Sequence, residues 1–417
     1  MTGVPQVSME MAFGVACQEK QRELEDGVGK RQTTMPASSG SSSSSSSSSD
    51  RGPRVLIAAF SARYACAQLL DEMYGALSCR LDCGLLVPTN YAGKVHGQNL
   101  FRTPCGASKI GGLLASINPK SHWKAAAALL RFKPDVVHIL TGEGYFWAVS
   151  LVVTARLARI PVVVTLHDPE PHPGNVFELL NSIVRRPVLR LARTVHLFSS
   201  QHLDRARKLA PHAAFDIIAH GSLAGQFLQH RKSCVNREEL VLFFGRIQRY
   251  KGIDILLQAI TALPATIRVA VAGPGTLDAY VQEIIRALGD RVELHNKYLD
   301  DAEVATLMQR ASVVALPYRH ATQSSVPAIA AAFGCRLVAT ALGHFVEEVP
   351  RLGGYLVPPE DPVALAATLA KALAARQVTP VTVPTFDELA ASFVHLYQSS
   401  ARHASPLSRS AEQGLLQ

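Results

Sequence analysis

Two glycines and two cations stand close together where an apolar run ends near the middle of the chain. The run Leu240–Phe244 is followed by Gly245, Arg246, Lys251 and Gly252. A glycine directly after a strand lets a ligand approach the backbone. A guanidinium and an ammonium group at the carboxyl edge of a sheet are suited to holding a diphosphate. The segment therefore predicts a diphosphate site, with a turn carrying two solvated bases as the alternative.

Two further loops are predicted to reach the same edge of that sheet. The first is Gly273-Pro274-Gly275, which follows an apolar run but does not form the dinucleotide fingerprint G-x-G-x-x-G. In the second, Ser324 and Ser325 stand where a helix begins, and the free N–H groups of a helix start are a natural cradle for phosphate. Each loop alone would also fit an ordinary turn or helix cap. Three such loops at one edge favour a phosphate site.

A polar segment in the first half of the chain offers candidate catalytic residues. The apolar run Val162–Leu166 ends at His167 and Asp168, and a proline-rich loop follows as far as Asn175. A metal site is disfavoured, because the spacing matches no common zinc pattern and the prolines hold the segment extended, so that neighbouring side chains diverge. His172 is expected to serve local structure or acceptor contact. A satisfied core histidine is the alternative for His167.

Basic residues are concentrated in the first half of the chain. Residues 51–235 carry 22 basic and 10 acidic side chains, whereas the segments on either side are slightly acidic. A predicted helix presents Arg185, Arg186, Arg190 and Arg193 with apolar residues between them. An ordinary wet basic face would fit this helix, but the charge of the whole segment favours contact with an acceptor or an anionic membrane surface. Nucleic acid is not expected, since aromatic residues make up 6% and no stacking set lies near the bases.

Short apolar runs alternate with helix-length segments, and the whole pattern restarts at Leu240. Runs of this kind are typical of strands buried on both faces, and their alternation with helices predicts parallel sheets with crossover connections. The predicted fold class is α/β, with two doubly wound Rossmann-like domains facing a central cleft. Ligands of such sheets bind beyond the carboxyl ends of the strands. The predicted parts are a disordered serine-rich tail (1–52), an N-terminal domain (53–228), a linker (229–239), a C-terminal domain (240–380), and a C-terminal helix and tail (381–417).

The sequence disfavours a secreted or membrane-spanning protein. Its seven cysteines are scattered and include no C-x-x-C pair, which favours a reducing compartment. The most apolar stretch, Ala148–Leu166, is interrupted by Arg156, Arg159 and Pro161 and so is too short for a membrane span. The first thirty residues mix acids and bases and do not resemble a secretory signal. A cytoplasmic location is therefore predicted, with peripheral attachment at the inner face of the membrane.

The order of motifs in the second half resembles the retaining glycosyltransferases of family 4. The motifs are Gly245-Arg246 … Lys251-Gly252, Gly273-Pro274-Gly275, Pro317-Tyr318, Val338-Ala339-Thr340 … Gly343 … Glu347, and Leu356-Val357-Pro358-Pro359 … Asp361-Pro362. The resemblance covers about residues 240–375 and, more weakly, 136–220. It implies the two-domain GT-B fold, with acceptor binding in the first domain and sugar-nucleotide binding in the second.

The same resemblance implies roles for individual residues. Gly245, Arg246 and Lys251 would hold the donor diphosphate, and Ser324 and Ser325 would offer it backbone N–H groups. His167 would face the donor sugar across the cleft, and Asp168 would orient it or contact the acceptor. The residues expected in the vicinity of the donor sugar or nucleotide are Gly273, Gly275, Gln323 and Glu347.

One pair of residues departs from the pattern of many family members, which carry two glutamates eight positions apart. The matching positions here are Ala321 and Ile329. The chain instead resembles a subgroup with a Pro-Tyr … Ala-Thr-Gln-Ser-Gly loop, in which the glycine is replaced by Ser325.

The resemblance implies transfer of a sugar from a nucleotide-diphosphate donor to a hydroxyl acceptor, with retention of configuration, in exopolysaccharide, lipopolysaccharide or glycolipid assembly. No metal or other cofactor is expected, because the chain has no Asp-x-Asp motif and Arg246, Lys251 and a helix start can stabilise the leaving diphosphate. The expected partners are a nucleotide sugar, a carbohydrate or lipid-linked acceptor and an anionic membrane surface. The alternatives are a sugar-nucleotide epimerase of the same fold and a non-catalytic protein that binds sugar nucleotides.

Overall fold

The computed structural model describes seven stretches of the chain, namely residues 52–62, 65–105, 109–167, 176–233, 235–321, 324–375 and 379–402. The predicted serine-rich tail lies outside the described residues apart from its last position. Asp168, His172 and Gln323 also lie outside them.

The first domain contains a seven-stranded sheet in which every pair of neighbouring strands is parallel. Its spatial order is β3-β2-β1-β4-β5-β6-β7. Every residue of β1, β2 and β4 is buried, as continuous apolar runs predict. The strands are β1 Val55–Ala59, β2 Cys83–Pro88, β3 Leu100–Thr103, β4 Val136–Thr141, β5 Val162–Thr165, β6 Thr194–Leu197 and β7 Ala214–Ile217.

Helices cover both faces of this sheet, so the domain is doubly wound as predicted. One layer, α3 to α6, packs on one face, whereas α1 packs on the other. The helices before the second domain are α1 Ala65–Ser78, α2 Lys109–Ile117, α3 Pro119–Phe132, α4 Phe146–Leu157, α5 Val176–Leu191, α6 Leu203–Leu209 and the single turn α7 Gly225–Leu228.

The second domain is built on a six-stranded parallel sheet of order β10-β9-β8-β11-β12-β13. Its strands are β8 Glu238–Phe244, β9 Arg268–Ala272, β10 Val292–His295, β11 Ala311–Leu316, β12 Arg336–Thr340 and β13 Tyr355–Val357. Its helices are α8 Ile253–Thr261, α9 Ala279–Leu288, α10 Asp301–Arg310, α11 Val326–Ala332, α12 Phe345–Arg351 and α13 Pro362–Ala374. These helices also lie on both faces of their sheet.

Local signals in the sequence fix several helix starts. The side chain of Asp300 accepts the backbone N–H of Glu303 at 2.8 Å, and Glu303 accepts the N–H of Asp300 at 2.9 Å. This reciprocal capping box sets the start of α10 at Asp301. Asp361 caps α13 in a similar way, accepting the N–H of Ala364 at 2.8 Å.

The last described helix, α14 (Phe386–Arg402), returns to the first domain after the chain has completed the second. It packs beside α1, and Arg80 pairs with Asp387 at 2.8 Å. At the centre of this contact the fully buried Tyr397 hydroxyl lies 2.8 Å from Nδ1 of His138 on β4. The sequence predicted the helix but not that it completes the core of the first domain.

No helix among the described residues is long and apolar enough to cross a membrane.

Candidate functional site

The loop after β8 brings its lysine back over its own first glycine. Gly245 has φ of +132°, and a Cβ added there would lie 2.7 Å from the ammonium nitrogen of Lys251. Gly252 has φ of +68°, and a Cβ there would collide with the carbonyl oxygen of Pro317. Both positions therefore require glycine, but the groups that approach them are Lys251 and Pro317 of the protein itself, whereas the sequence predicted the approach of a ligand.

The loops after β8, β9 and β11 are tied together by hydrogen bonds. Ile247 donates its N–H to the carbonyl of Pro274 at 2.8 Å, which joins the first two loops. The Lys251 ammonium donates to the Tyr318 hydroxyl at 2.9 Å and lies 4.8 Å from the centre of that ring. The buried Tyr318 belongs to the loop after β11, so the three predicted loops converge at one edge of the sheet.

An ion pair that the sequence analysis did not predict also holds the loop after β11 in place. The guanidinium of Arg319 donates to both carboxylate oxygens of Asp254, at 2.9 and 2.7 Å. Burial raises the pKa of the Asp254 carboxyl, but the hydrogen bonds and positive charge of Arg319 outweigh burial and hold that pKa below its usual value. Arg319 also donates its backbone N–H to the carbonyl of Tyr250 at 2.6 Å. The pair therefore fixes the β11 loop to the start of α8.

Arg246 is exposed and forms no hydrogen bond or ion pair with the described residues. It lies close enough to Cys66 of α1 to influence that thiol. Burial raises the pKa of Cys66, and the positive charge of Arg246 acts against this effect. The exposed guanidinium of Arg246 therefore lies in the neighbourhood of α1 of the first domain.

At the start of α11, one of the two predicted backbone donors is already occupied. The N–H of Ser324 donates to Nε2 of His344 at 3.1 Å. His344 is buried and precedes α12, and its Nδ1 has no partner among the described residues. The same Nε2 also lies 3.3 Å from the carboxylate of Glu348, one turn further along α12. His344 could not be recognised from the sequence, since a lone histidine has no distinctive spacing. Glu347, one position before Glu348, is exposed.

His167 lies at the carboxyl end of β5, where the sequence placed it. Its Nε2 lies 2.8 Å from the carbonyl oxygen of Leu140 and donates to it, which leaves Nδ1 as an acceptor in the neutral ring. Its ring packs 5.2 Å from that of Phe198, which in turn lies 4.9 Å from the ring of His220. The half-buried His167 is thus oriented by the protein and not left free to rotate.

The histidines of the two domains approach one another. Burial lowers the pKa of His220 to about 4, and the neighbouring His167 and His344 act in the same direction. Burial likewise lowers the pKa of His196 to about 3. These two rings are therefore neutral near pH 7. His344 of the second domain is therefore near enough to His220 of the first domain to influence its pKa.

The predicted arginine helix, α5, divides into two parts. Arg185 is largely buried and lies 3.7 Å from the carboxylate of Glu143, which follows β4 at the same edge as His167. Arg186 and Arg190 are exposed, and so is Arg193, which the sequence placed on the helix but which lies beyond the end of the helix at Leu191. The four arginines therefore do not form one surface. Among the described residues, no cluster of three histidine, cysteine or acidic side chains could hold a metal ion.

Both domains match known family models. Residues 78–218 match the model described as "Glycosyl transferase 4-like domain", and residues 238–375 match "Glycosyl transferases group 1". A relative from Xylanimonas cellulosilytica, "D-inositol 3-phosphate glycosyltransferase", is 29% identical over 267 residues. That alignment covers 58% of this chain and spans 64% of the relative's length.

Solved structures share the architecture at low sequence identity. Sucrose-phosphate synthase from Thermosynechococcus elongatus has a TM-score of 0.60 and 18% identity, covering 87% of this chain and all of its own. Anabaena HepE in complex with UDP-glucose also has a TM-score of 0.60, with 17% identity, covering 86% of this chain and all of its own. The two glycosyltransferase family models therefore match in order along the chain, one in each domain, and the two-domain architecture is the GT-B fold.

Proposed function

We propose that the protein transfers a sugar from a nucleoside-diphosphate donor to a hydroxyl group of an acceptor, with retention of the anomeric configuration. The observation that carries this proposal is the convergence of three loops at one edge of the second sheet, where Lys251 is held by the Tyr318 hydroxyl and the neighbouring Arg246 is exposed. The family models that match both domains support the same reaction class.

The donor in this proposal is a UDP-sugar. Support comes from the solved complex of HepE with UDP-glucose, which has the same fold. In this chain the diphosphate would bind between Arg246, Lys251 and the backbone N–H of Ser325. Gly273, Gly275, Gln323 and Glu347 are proposed to lie near the sugar or nucleotide.

The leaving group is proposed to depart without a metal ion. Cleavage of the bond to the sugar leaves an extra negative charge on the diphosphate, and that charge must be stabilised in the transition state. Arg246 and Lys251 can supply this stabilisation, and Lys251 needs little reorganisation when the charge develops because the Tyr318 hydroxyl already holds it. Closure of the two domains over the donor would exclude water and limit hydrolysis.

His167 is proposed to orient the donor sugar from the opposite side of the cleft. Its Nε2 is engaged with Leu140, so Nδ1 remains as an acceptor for a sugar hydroxyl. Asp168, the next residue along the chain, is proposed to assist in the orientation or to contact the acceptor. Holding the sugar in the reactive orientation lowers the barrier because the reacting atoms are then close together and aligned.

The acceptor is proposed to be an anionic carbohydrate or lipid-linked hydroxyl compound that enters through the basic first domain. The relative named as a D-inositol 3-phosphate glycosyltransferase supports an acceptor of the phosphorylated class. Arg185, held by Glu143 at the edge that carries His167, is the arginine of α5 placed to meet such a group.

A donor screen tests the proposal. The purified protein is incubated with UDP-, GDP- and dTDP-sugars, together with either inositol phosphates or a lipid extract. We expect transfer with a UDP-sugar, and we expect His167→Ala to abolish transfer while UDP still binds. Epimerised donor without transfer would favour an epimerase, and UDP binding without turnover would favour a non-catalytic protein. Either result contradicts the proposed function.

A further inference from the structure

Large apolar side chains are exposed on the outer side of the helices that cover one face of the first sheet. Trp123 on α3 is 71% exposed and Leu157 at the end of α4 is 81% exposed. We call this surface the outer helical face and define it by Leu114, Ile117, Trp123, Leu130, Leu157 and Ile183, all of which are more than half exposed.

These residues share one continuous surface because their helices are neighbours. α3 packs against α4, α4 packs against α5, and α2 contacts both α3 and α4. His122 of α3 lies 2.7 Å from the Ser150 hydroxyl of α4. Trp123 and Leu130 are seven residues apart, so they lie on the same side of α3. The opposite side of α3, with Ala125 and Leu129, is buried against the sheet.

The charge of these helices is predominantly positive. Residues 109–133, 146–160 and 176–193 together contain eleven lysines and arginines and one acidic residue, Glu178. Exposed Lys120, Lys124 and Arg131 alternate with Trp123 and Leu130 along α3. Arg156 and Arg159 flank Leu157 in the same manner. Apolar side chains ringed by cations match an anionic lipid bilayer, which offers acyl chains below a layer of phosphates.

We propose that the outer helical face docks on an anionic membrane, with Trp123, Leu130 and Leu157 buried at the boundary between headgroups and acyl chains. Lys120, Lys124 and the exposed arginines contact lipid phosphates. The sequence placed lipid contact on the arginine helix alone. In the structure the contact is centred on α3 and α4, and Arg185 is turned away toward Glu143. This inference does not depend on donor chemistry.

Tryptophan fluorescence tests the insertion directly. The chain has two tryptophans, and Trp147 is buried, so a response to lipid reports on Trp123. With vesicles of phosphatidylglycerol and phosphatidylcholine we expect a blue shift and protection from acrylamide, and with phosphatidylcholine alone neither. Trp123→Phe should remove the shift but not co-sedimentation. Co-sedimentation of the wild type without a shift would overturn the proposal, because the face would then bind by charge without entering the lipid.

Matched variants assign the binding to named residues. Leu157→Ser should weaken vesicle binding roughly tenfold, since one buried leucine side chain is lost. Lys120→Gln and Lys124→Gln should each weaken it about fivefold. Val363→Ser serves as the control, because Val363 is 78% exposed on the second domain. Equal binding by Leu157→Ser and Val363→Ser would overturn the proposal.

A second copy of the chain is the other occupant that such a face could take. The molar mass measured by light scattering without lipid decides between a membrane and a second copy. We expect a monomer that binds vesicles. A dimer that Leu157→Ser dissociates, together with no vesicle binding by the wild type, would assign the face to self-association and overturn the membrane proposal.

Discussion

At the scale of single residues, the candidate site depends on side chains that fix other groups in place. Lys251 is positioned by the hydroxyl of Tyr318, and Tyr318 packs on Phe345 with ring centres 5.3 Å apart. His344 accepts the N–H of Ser324 and so holds the chain just before α11. None of these contacts is local in sequence, and each joins two different loops of the second domain.

Replacement of His344 should weaken nucleotide binding. In His344→Ala the N–H of Ser324 loses its acceptor, so the segment before α11 gains freedom that donor binding must remove. We expect the Kd for UDP to rise about fivefold, from the loss of about 1 kcal/mol of hydrogen bonding. Calorimetry measures it, and the exposed His320→Ala serves as the control. An unchanged Kd with a lowered melting temperature would mean that His344 only packs.

At the scale of secondary structure, one arginine joins three elements of the second domain. Arg310 at the end of α10 donates to Glu238 on β8 at 2.6 and 3.0 Å and to Glu293 on β10 at 2.9 and 2.8 Å. Hydrogen bonds from Arg310 lower the pKa of Glu293 to about 2, although burial acts against them. They also lower the pKa of Glu238. The network therefore anchors α10 to the sheet whose strands β8, β9 and β11 precede the three converging loops.

The network predicts a dependence of stability on pH. The pKa of Glu293 in the folded protein lies below its usual value near 4.5. The stabilisation of the folded state by the ionised Glu293 carboxylate is therefore complete above about pH 4.5 and is lost as the pH falls toward about 2. At neutral pH, Arg310→Ala should lower the free energy of unfolding by about 2 kcal/mol. Urea unfolding should show this difference shrinking below about pH 4.5.

Arg268→Ala is the matched control for this prediction. Arg268 reaches the same two glutamates, but at 3.5 and 3.4 Å and with its side chain about half exposed. Its replacement should therefore change the unfolding free energy much less. A difference between wild type and Arg310→Ala that stays constant from neutral pH to pH 3 would contradict the account.

Strands were predictable from the sequence where they are buried on both faces. The apolar runs of β1, β4, β5 and β8 predict buried strands, because so many consecutive apolar residues must be covered on both faces of a sheet. β3 was missed because it is a short edge strand with an exposed arginine, Arg102. The glycines after β8 and β9 could be predicted because their positions after strands are visible in the sequence, whereas His344 and Arg319 act through contacts distant along the chain.

At the scale of the whole molecule, the last described helix, α14, packs on the first domain. An amphipathic helix can cover any apolar surface, so the sequence of α14 could not reveal that it packs beside α1. The fully buried pair Tyr397 and His138 lies at the centre of that contact. Burial lowers the pKa of His138 well below its usual value and raises that of Tyr397, so both groups are neutral and the contact is a hydrogen bond without charge.

Removal of this hydroxyl should destabilise the first domain, although Tyr397 follows the second domain in sequence. In Tyr397→Phe a buried nitrogen of His138 loses its partner, which costs about 1–3 kcal/mol. Thermal unfolding should show a lower melting temperature. Tyr280→Phe is the control, since the Tyr280 hydroxyl bonds Gln258 on the surface. Equal losses for the two variants would argue against a role for α14 in the core of the first domain.

The central claim is that Arg246 and Lys251 form the diphosphate site, and calorimetric titration with UDP tests it most directly. Wild type should bind UDP, and Arg246→Ala and Lys251→Ala should each weaken binding by roughly tenfold or more, because each removes a charge-assisted contact. Arg249→Ala, an exposed arginine on the same loop, should leave the affinity unchanged. Equal affinities for wild type, Arg246→Ala and Lys251→Ala would contradict the account.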